Sequence, residues 1–129
     1  MHKIEIYTKA IELNPNDADT YCNRGLIKLN LGDLQGAIED FNKAIEINPQ
    51  DADAYYNRGN AKEKLGDHQG AIADYTKAIQ IDPKDADAYL NRGIAKELVG
   101  DLKGACADWR KASSLGVQDP AGLVKKKCQ

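Results

Sequence analysis

An all-α solenoid, a superhelix of stacked helix pairs closed by a C-terminal capping helix, is the fold class that this 129-residue chain predicts. Three observations carry the prediction. The triplet Asn-Arg-Gly stands at residues 23–25, 57–59 and 91–93, each copy 34 residues after the last (23 to 57, 57 to 91). A fixed period of that size marks a repeat array, in which each unit covers its neighbour, rather than a domain built around one centre. Inside each unit, residues such as Ala54, Tyr55, Arg58, Gly59 and Lys62 recur at three- and four-residue steps, the spacing of a helix face. Aspartate and glycine then punctuate every unit where helices must begin and end.

The elements follow in chain order. Residues 4–16 align with the second helix of the later units, with Tyr7, Ala10, Ile11 and Pro15 in register, but no first helix precedes them. The apolar side carrying Ile4, Tyr7 and Ile11 therefore lacks half its cover, and these three residues are candidates for self-association. Either the chain belongs to a longer array or a second copy, making a homodimer, covers this face. Repeat units are expected at residues 17–50, 51–84 and 85–118. In each, a first helix opens on Asp17, Asp51 or Asp85, whose carboxylate can accept from backbone N–H groups that lack an intrahelical partner. Asp19, Asp53 and Asp87 add negative charge at the positive dipole end. Gly32, Gly66 and Gly100 close these helices in a left-handed turn, and Asp33, Asp67 and Asp101 open the next. The second helix carries small residues and one aromatic, as in Gly70, Ala71, Tyr75, Ala78 and Ile79, and Pro49 or Pro83 ends it. Asp119-Pro120 opens a capping helix over residues 119–129, with Leu123 in register with Tyr89 and Lys125 to Lys127 at the negative dipole end, so this end is expected to be a true terminus of the array.

The balance of charge excludes several functions. A net charge of -2 and a pI near 5.7 provide no field for DNA or RNA, and the one basic run, Lys125-Lys126-Lys127, is short. No stretch approaches the ~18 apolar residues of a membrane span, so no membrane insertion is expected. Cys22, Cys106 and Cys128 do not form a spaced ligand set with His2 and His68, so neither a metal nor another cofactor is expected. Their odd number favours a reducing, cytoplasmic setting. Cys106 takes the place of Ile38 and Ile72 and faces the capping segment that holds Cys128; it is assigned as a small buried hydrophobe, with a disulfide to Cys128 as the alternative.

Tyr21, Gly25, Gly32, Ala37, Phe41, Ala44 and Pro49, with their counterparts Tyr55, Gly59, Gly66, Ala71, Tyr75, Ala78 and Pro83, fall where the tetratricopeptide repeat places its signature residues. The third unit repeats the pattern with Tyr89, Gly93, Gly100, Ala105, Trp109 and Ala112, but has Val117 in place of the proline. The chain resembles that family over nearly its whole length. The resemblance implies a right-handed superhelix with the first helices lining a concave side. The stretch from Gly100 through Cys128 is similar to the closing repeat of many bacterial members. Two departures stand out. Arg24, Arg58 and Arg92 occupy a usual leucine position, and Lys28, Lys62 and Lys96 a frequent tyrosine position. Asp40, Asp74 and Asp108 recur in the second helices, so each arginine is expected to tie helices together by pairing with one of these aspartates while its stem covers apolar surface. Gly25, Gly59 and Gly93 are expected to permit close helix packing.

Function is expected on the concave side. The resemblance places there Asp19, Cys22, Asn23, Leu26, Leu29 and Asn30; Asp53, Tyr56, Asn57, Asn60, Glu63 and Lys64; and Asp87, Leu90, Asn91, Ile94, Glu97 and Leu98. Among them Asn23, Leu26, Asn30, Tyr56, Asn57, Asn60, Leu90, Asn91 and Ile94 are the candidate contacts for an extended peptide or a partner helix. Asn23, Asn57 and Asn91 form a ladder whose amides can pair with any peptide backbone, or can instead satisfy groups of the neighbouring repeat. The clamp by which co-chaperone members hold a terminal carboxylate is matched poorly. Cys22 and Leu26 stand at its first-unit Lys and Asn, and Asp87 and Asn91 at its third-unit Lys and Arg. The groove aspartates favour a basic or neutral peptide over an acidic one, although capping alone accounts for them. No catalytic set departs from the repeating pattern, so the chain is expected not to be an enzyme. Two readings result: a peptide-binding adaptor, and a structural module that self-associates through its N-terminal helix.

Overall fold

The computed structural model describes residues 2–119 and 122–128. Among these residues eight α-helices follow one another: α1 Lys3–Leu13, α2 Ala18–Asn30, α3 Leu34–Ile47, α4 Ala52–Lys64, α5 His68–Ile81, α6 Ala86–Leu98, α7 Leu102–Ser114 and α8 Leu123–Lys127. No strand occurs among the described residues. The most extensive packing joins α2 to α3, α4 to α5 and α6 to α7, and α3 to α4 and α5 to α6 connect these pairs in sequence. Contacts that run almost only between neighbours define a solenoid.

The aspartates set the helix starts. Asp51 and Asp85 accept from the N–H groups of Ala54 and Ala88 at 3.2 Å, and Asp17 accepts from Asp19 at 3.1 Å. Asp33, Asp67 and Asp101 accept from Gly36, Gly70 and Gly104 at 3.0, 2.9 and 2.8 Å. Between the two helices of the middle pair, Gly66 takes φ +85° and the Asp67 N–H returns to the Lys62 carbonyl at 2.9 Å, which satisfies the exposed end of α4.

Small residues bring the helices together. Ala37, Ala44, Ala54, Ala61, Ala71, Ala78, Ala88 and Ala95 are fully buried around Phe41, Tyr75 and Trp109. A Cβ on Gly59 would lie 2.9 Å from the Tyr75 ring, and one on Gly93 would lie 2.5 Å from Trp109 Nε1. Each glycine thus makes room for the aromatic residue of the following helix.

A polar network also links the helices within and between pairs. Arg58 Nε and Nη2 donate to the two Asp74 carboxylate oxygens at 2.9 and 2.7 Å, and its Nη1 donates to Asn42 at 2.9 Å. Arg24 repeats this with Asp40 and Thr8, and Arg92 with Asp108 and Thr76. Lys28, Lys62 and Lys96 reach the same aspartates at 3.2, 3.2 and 3.1 Å. Each guanidinium also lies over a tyrosine, Tyr21, Tyr55 or Tyr89, at 5.5 to 5.8 Å. The buried aspartates are therefore doubly paired, and each of these three arginines reaches back to the preceding second helix. The hydrogen bonds to aspartate, ahead of any burial cost, hold the three guanidinium groups above their ordinary pKa.

The ends differ from the middle. Helix α1 has no buried residue; Ile4, Tyr7 and Ile11 are half-buried against α2, while Ile6 is 49% and Leu13 88% exposed. At the other end, Leu123, Val124 and Cys128 cover Cys106 and Trp109. Pro120, expected at the first helical position, lies outside the described residues. Gly122 precedes α8 in a left-handed conformation, and the Asp119 carboxylate reaches past it to the N–H groups of Val124 and Lys125 at 2.8 and 3.2 Å. The assignment of Cys106 as only a buried hydrophobe is corrected: it forms a disulfide with Cys128, which leaves Cys22 as the free thiol. The covering of α7 by α8 brings the two cysteines together across a separation of 22 residues, a distance along the chain that spacing alone could not interpret.

Candidate functional site

Helices α2, α4 and α6 present one side to a shared furrow. A cavity of about 440 Å³ is lined by Leu26, Leu29 and Asn30 of α2, Asn57, Asn60, Glu63 and Lys64 of α4, Asn91 and Ile94 of α6, and Tyr75 of α5. A second cavity, about 540 Å³, continues it past Asp19, Cys22, Asn23, Asp51, Asp53 and Tyr56. Of the candidate contacts, Leu90 is placed elsewhere: it packs against the Ala105, Cys106 and Trp109 cluster and lines neither cavity. Tyr75, expected only as a wedge between helices, enters the furrow from behind. Its signal was its ring type: of the three aromatics at that position, only tyrosine bears a hydroxyl.

The asparagine ladder is not uniform. The Asn23 side chain is exposed and makes no hydrogen bond among the described residues. Asn57 is 9% exposed and lines the second cavity together with Cys22. Asn91 donates to Tyr56 Oη at 2.9 Å and to Asn60 Oδ1 at 3.2 Å, and that same oxygen accepts from Tyr75 Oη at 2.6 Å. Asn91 is thus bound into a network between repeats, whereas Asn23 and Asn30 offer free amides. Equivalent sequence positions meet unequal neighbours, because Asn60 has Ile94 as its third-unit counterpart. The consequence reaches the core: Trp109 Nε1, with Ile94 where Tyr75 finds Asn60, is buried without a partner among the described residues.

Charge in the furrow is mostly negative. Asp19, Asp53 and Asp87 stand exposed at its edge. Burial raises the pKa of Asp51 and Asp85 despite their capping hydrogen bonds, and the neighbouring Asp53 and Asp87 push in the same direction. Cys22 is pushed up to about 12, by burial first and by the charge of Asp51 next, so it is a neutral thiol with no nucleophilic character at neutral pH. Burial likewise raises Tyr56 and Tyr75, the latter further through the charge of Glu63. Among the described residues, no three His, Cys, Asp or Glu side chains converge in a way that could hold a metal ion.

Comparison with known proteins places this architecture. Profiles described as tetratricopeptide repeat match residues 6–39 with 74–107, and residues 52–85; one described as TPR repeat matches 27–66. No match was found among curated proteins. Among solved structures, MamA superposes with a TM-score of 0.83 at 27% identity, over 95% of this chain and 69% of MamA. The Arabidopsis OM64 TPR domain gives 0.80 at 34% identity, over 85% of this chain and 91% of that domain. YrrB, described as a TPR protein with an unusual peptide-binding site, gives 0.82 at 27%, over 88% of this chain and 58% of YrrB. Three gap-free units, neighbour-only packing, and profiles and structures that agree over nearly the full length place the chain in the tetratricopeptide repeat family.

Proposed function

We propose that this protein is a non-catalytic adaptor that binds an extended peptide or a partner helix along the furrow of α2, α4 and α6. The tetratricopeptide fold generally mediates protein–protein interaction, and YrrB, similar in structure, carries a peptide-binding site. The observation that carries the reading is the furrow itself, where apolar Leu26, Leu29 and Ile94 alternate with amides of which Asn23 and Asn30 have no internal partner among the described residues. Apolar walls gain from covering side chains, and unpaired amides gain from a peptide backbone, which presents both donors and acceptors. The acidic edge favours a basic or neutral ligand over an acidic one.

A labelled pool of random blocked octapeptides, followed by anisotropy, tests the reading. Leu26→Glu with Ile94→Glu should weaken binding by about tenfold or more, since each buries a charge under the ligand. Lys111→Glu, on the exposed part of α7, should leave it unchanged. Equal affinity in all three proteins would remove the furrow from the binding surface. A second reading, self-assembly through α1, draws on the exposed Ile6 and a cavity of about 430 Å³ between α1 and α2, lined in part by Ile6, Tyr7 and Ile27.

A further inference from the structure

One carboxylate in the furrow is left incomplete. Glu63, near the end of α4, contacts His68 Nδ1 through Oε1, while its Oε2 is shielded from solvent and has no hydrogen-bond partner among the described residues. The side chain as a whole lines the 440 Å³ furrow and is 20% exposed. An anionic oxygen in such a place is more costly than a neutral one, and a cationic donor relieves it best.

The chain supplies its own precedent one repeat later. Glu97 is the counterpart of Glu63 at the 34-residue period (63 to 97), and its Oε2 is met by the Lys127 ammonium of α8 at 2.6 Å. An amine arriving from beyond the helix therefore completes a glutamate at this position. For Glu63 the corresponding place, counted back by the same period (127 to 93), is Gly93, which has no side chain to offer. In the first unit the position is Leu29, so the feature belongs to the middle of the furrow.

We propose that Glu63 forms a subsite for a lysine or arginine side chain of the bound peptide, with Leu29 and Ile94 covering its aliphatic stem. The ammonium or guanidinium takes the place at Glu63 that Lys127 takes at Glu97. Asn60 and Asn91, oriented by their bonds to Tyr75 and Tyr56, line the furrow beside it. The exposed Lys64 disfavours a ligand with a second cation immediately beside the first, so one basic residue between apolar ones suits the site best. The subsite rests on the reading of the furrow as a peptide groove.

The test uses the full chain and blocked octapeptide pools, random except for a fixed central Lys, Arg, Gln or Glu. The Lys and Arg pools should bind about tenfold tighter than the Gln pool, and the Glu pool weakest. Glu63→Gln, nearly the same shape, should bring the Lys, Arg and Gln pools together while the Gln pool itself keeps its wild-type affinity. His68→Gln, which leaves the carboxylate in place, should keep or enlarge the basic preference. Equal binding of basic and neutral pools by the wild type, or a basic preference that survives Glu63→Gln, overturns the subsite and leaves the groove standing. Failure of every pool to bind overturns both.

Discussion

At the scale of the residue, the informative positions are those that depart from a purely apolar repeat. Arg58 meets Asp74 with two hydrogen bonds, and Asp74 is almost wholly buried. Such a pair owes little to Coulomb attraction alone, because desolvation offsets it, but removing one partner leaves a charge stranded. Arg58→Leu should therefore cost about 2 kcal/mol in urea denaturation, with Lys62 alone left to serve Asp74. Adding Asp74→Leu should recover most of that loss, giving a clear coupling in the double-mutant cycle. An unchanged or higher midpoint for Arg58→Leu alone would show that the network has no structural role. The arginine and aspartate were legible from their period. Lys62, which shares that period, and Asn42, whose counterparts are Thr8 and Thr76, were not assigned to the same network, because a lysine or amide on a helix is ordinarily solvated and only the packed neighbours decide otherwise.

At the scale of the element, the helices are set by punctuation, and their exposed faces follow from what lies beside them. The capping aspartates and left-handed glycines act within one turn, so they can be read without knowledge of the fold. Helix α8 is different. With five residues it is too short to hold itself, and its order depends on Leu123, Val124 and the Cys106–Cys128 bond against α7. Reduction of the disulfide, or Cys128→Ser, should accelerate amide exchange in α8 by at least about tenfold while leaving α4 and α5 unchanged, since contacts in a solenoid run only between neighbours. Protection of α8 that is indifferent to reduction would mean that apolar packing alone secures it. At the opposite end α1 packs against α2, and its most exposed apolar residues are Leu13 and Ile6 rather than Ile4, Tyr7 or Ile11.

At the scale of the whole molecule, the proposed function rests on the surface that three first helices share. Residues 30 or more positions apart in sequence become neighbours there, as Asn91 does with Tyr56 and Asn60. The furrow supports the adaptor reading, and the face of α1 supports self-assembly. They part on one measurement. Under self-assembly the sedimentation mass rises with concentration, and Ile6→Lys returns it to one chain; a mass of one chain at every concentration ends that reading. Peptide affinity in the furrow should be the same for Ile6→Lys and wild type, because Ile6 lies on α1 and lines neither furrow cavity.

The sequence by itself determined the helices, their order and their stacking, because each of these depends on interactions within one turn or between adjacent units that the period repeats. It also determined which residue types line the first helices. The tertiary structure decided which of them are free. Asn23, Asn57 and Asn91 are one letter at one repeat position, yet one is exposed, one is buried and one is committed to its neighbours. The difference arises because each faces the repeat before it: Asn91 meets Asn60, the equivalent residue for Asn57 is Leu26, which has no hydrogen-bonding side chain, and Asn23 on α2 has only α1 before it. The disulfide and the unpaired oxygen of Glu63 have the same origin: each depends on what a following helix does or does not bring to it.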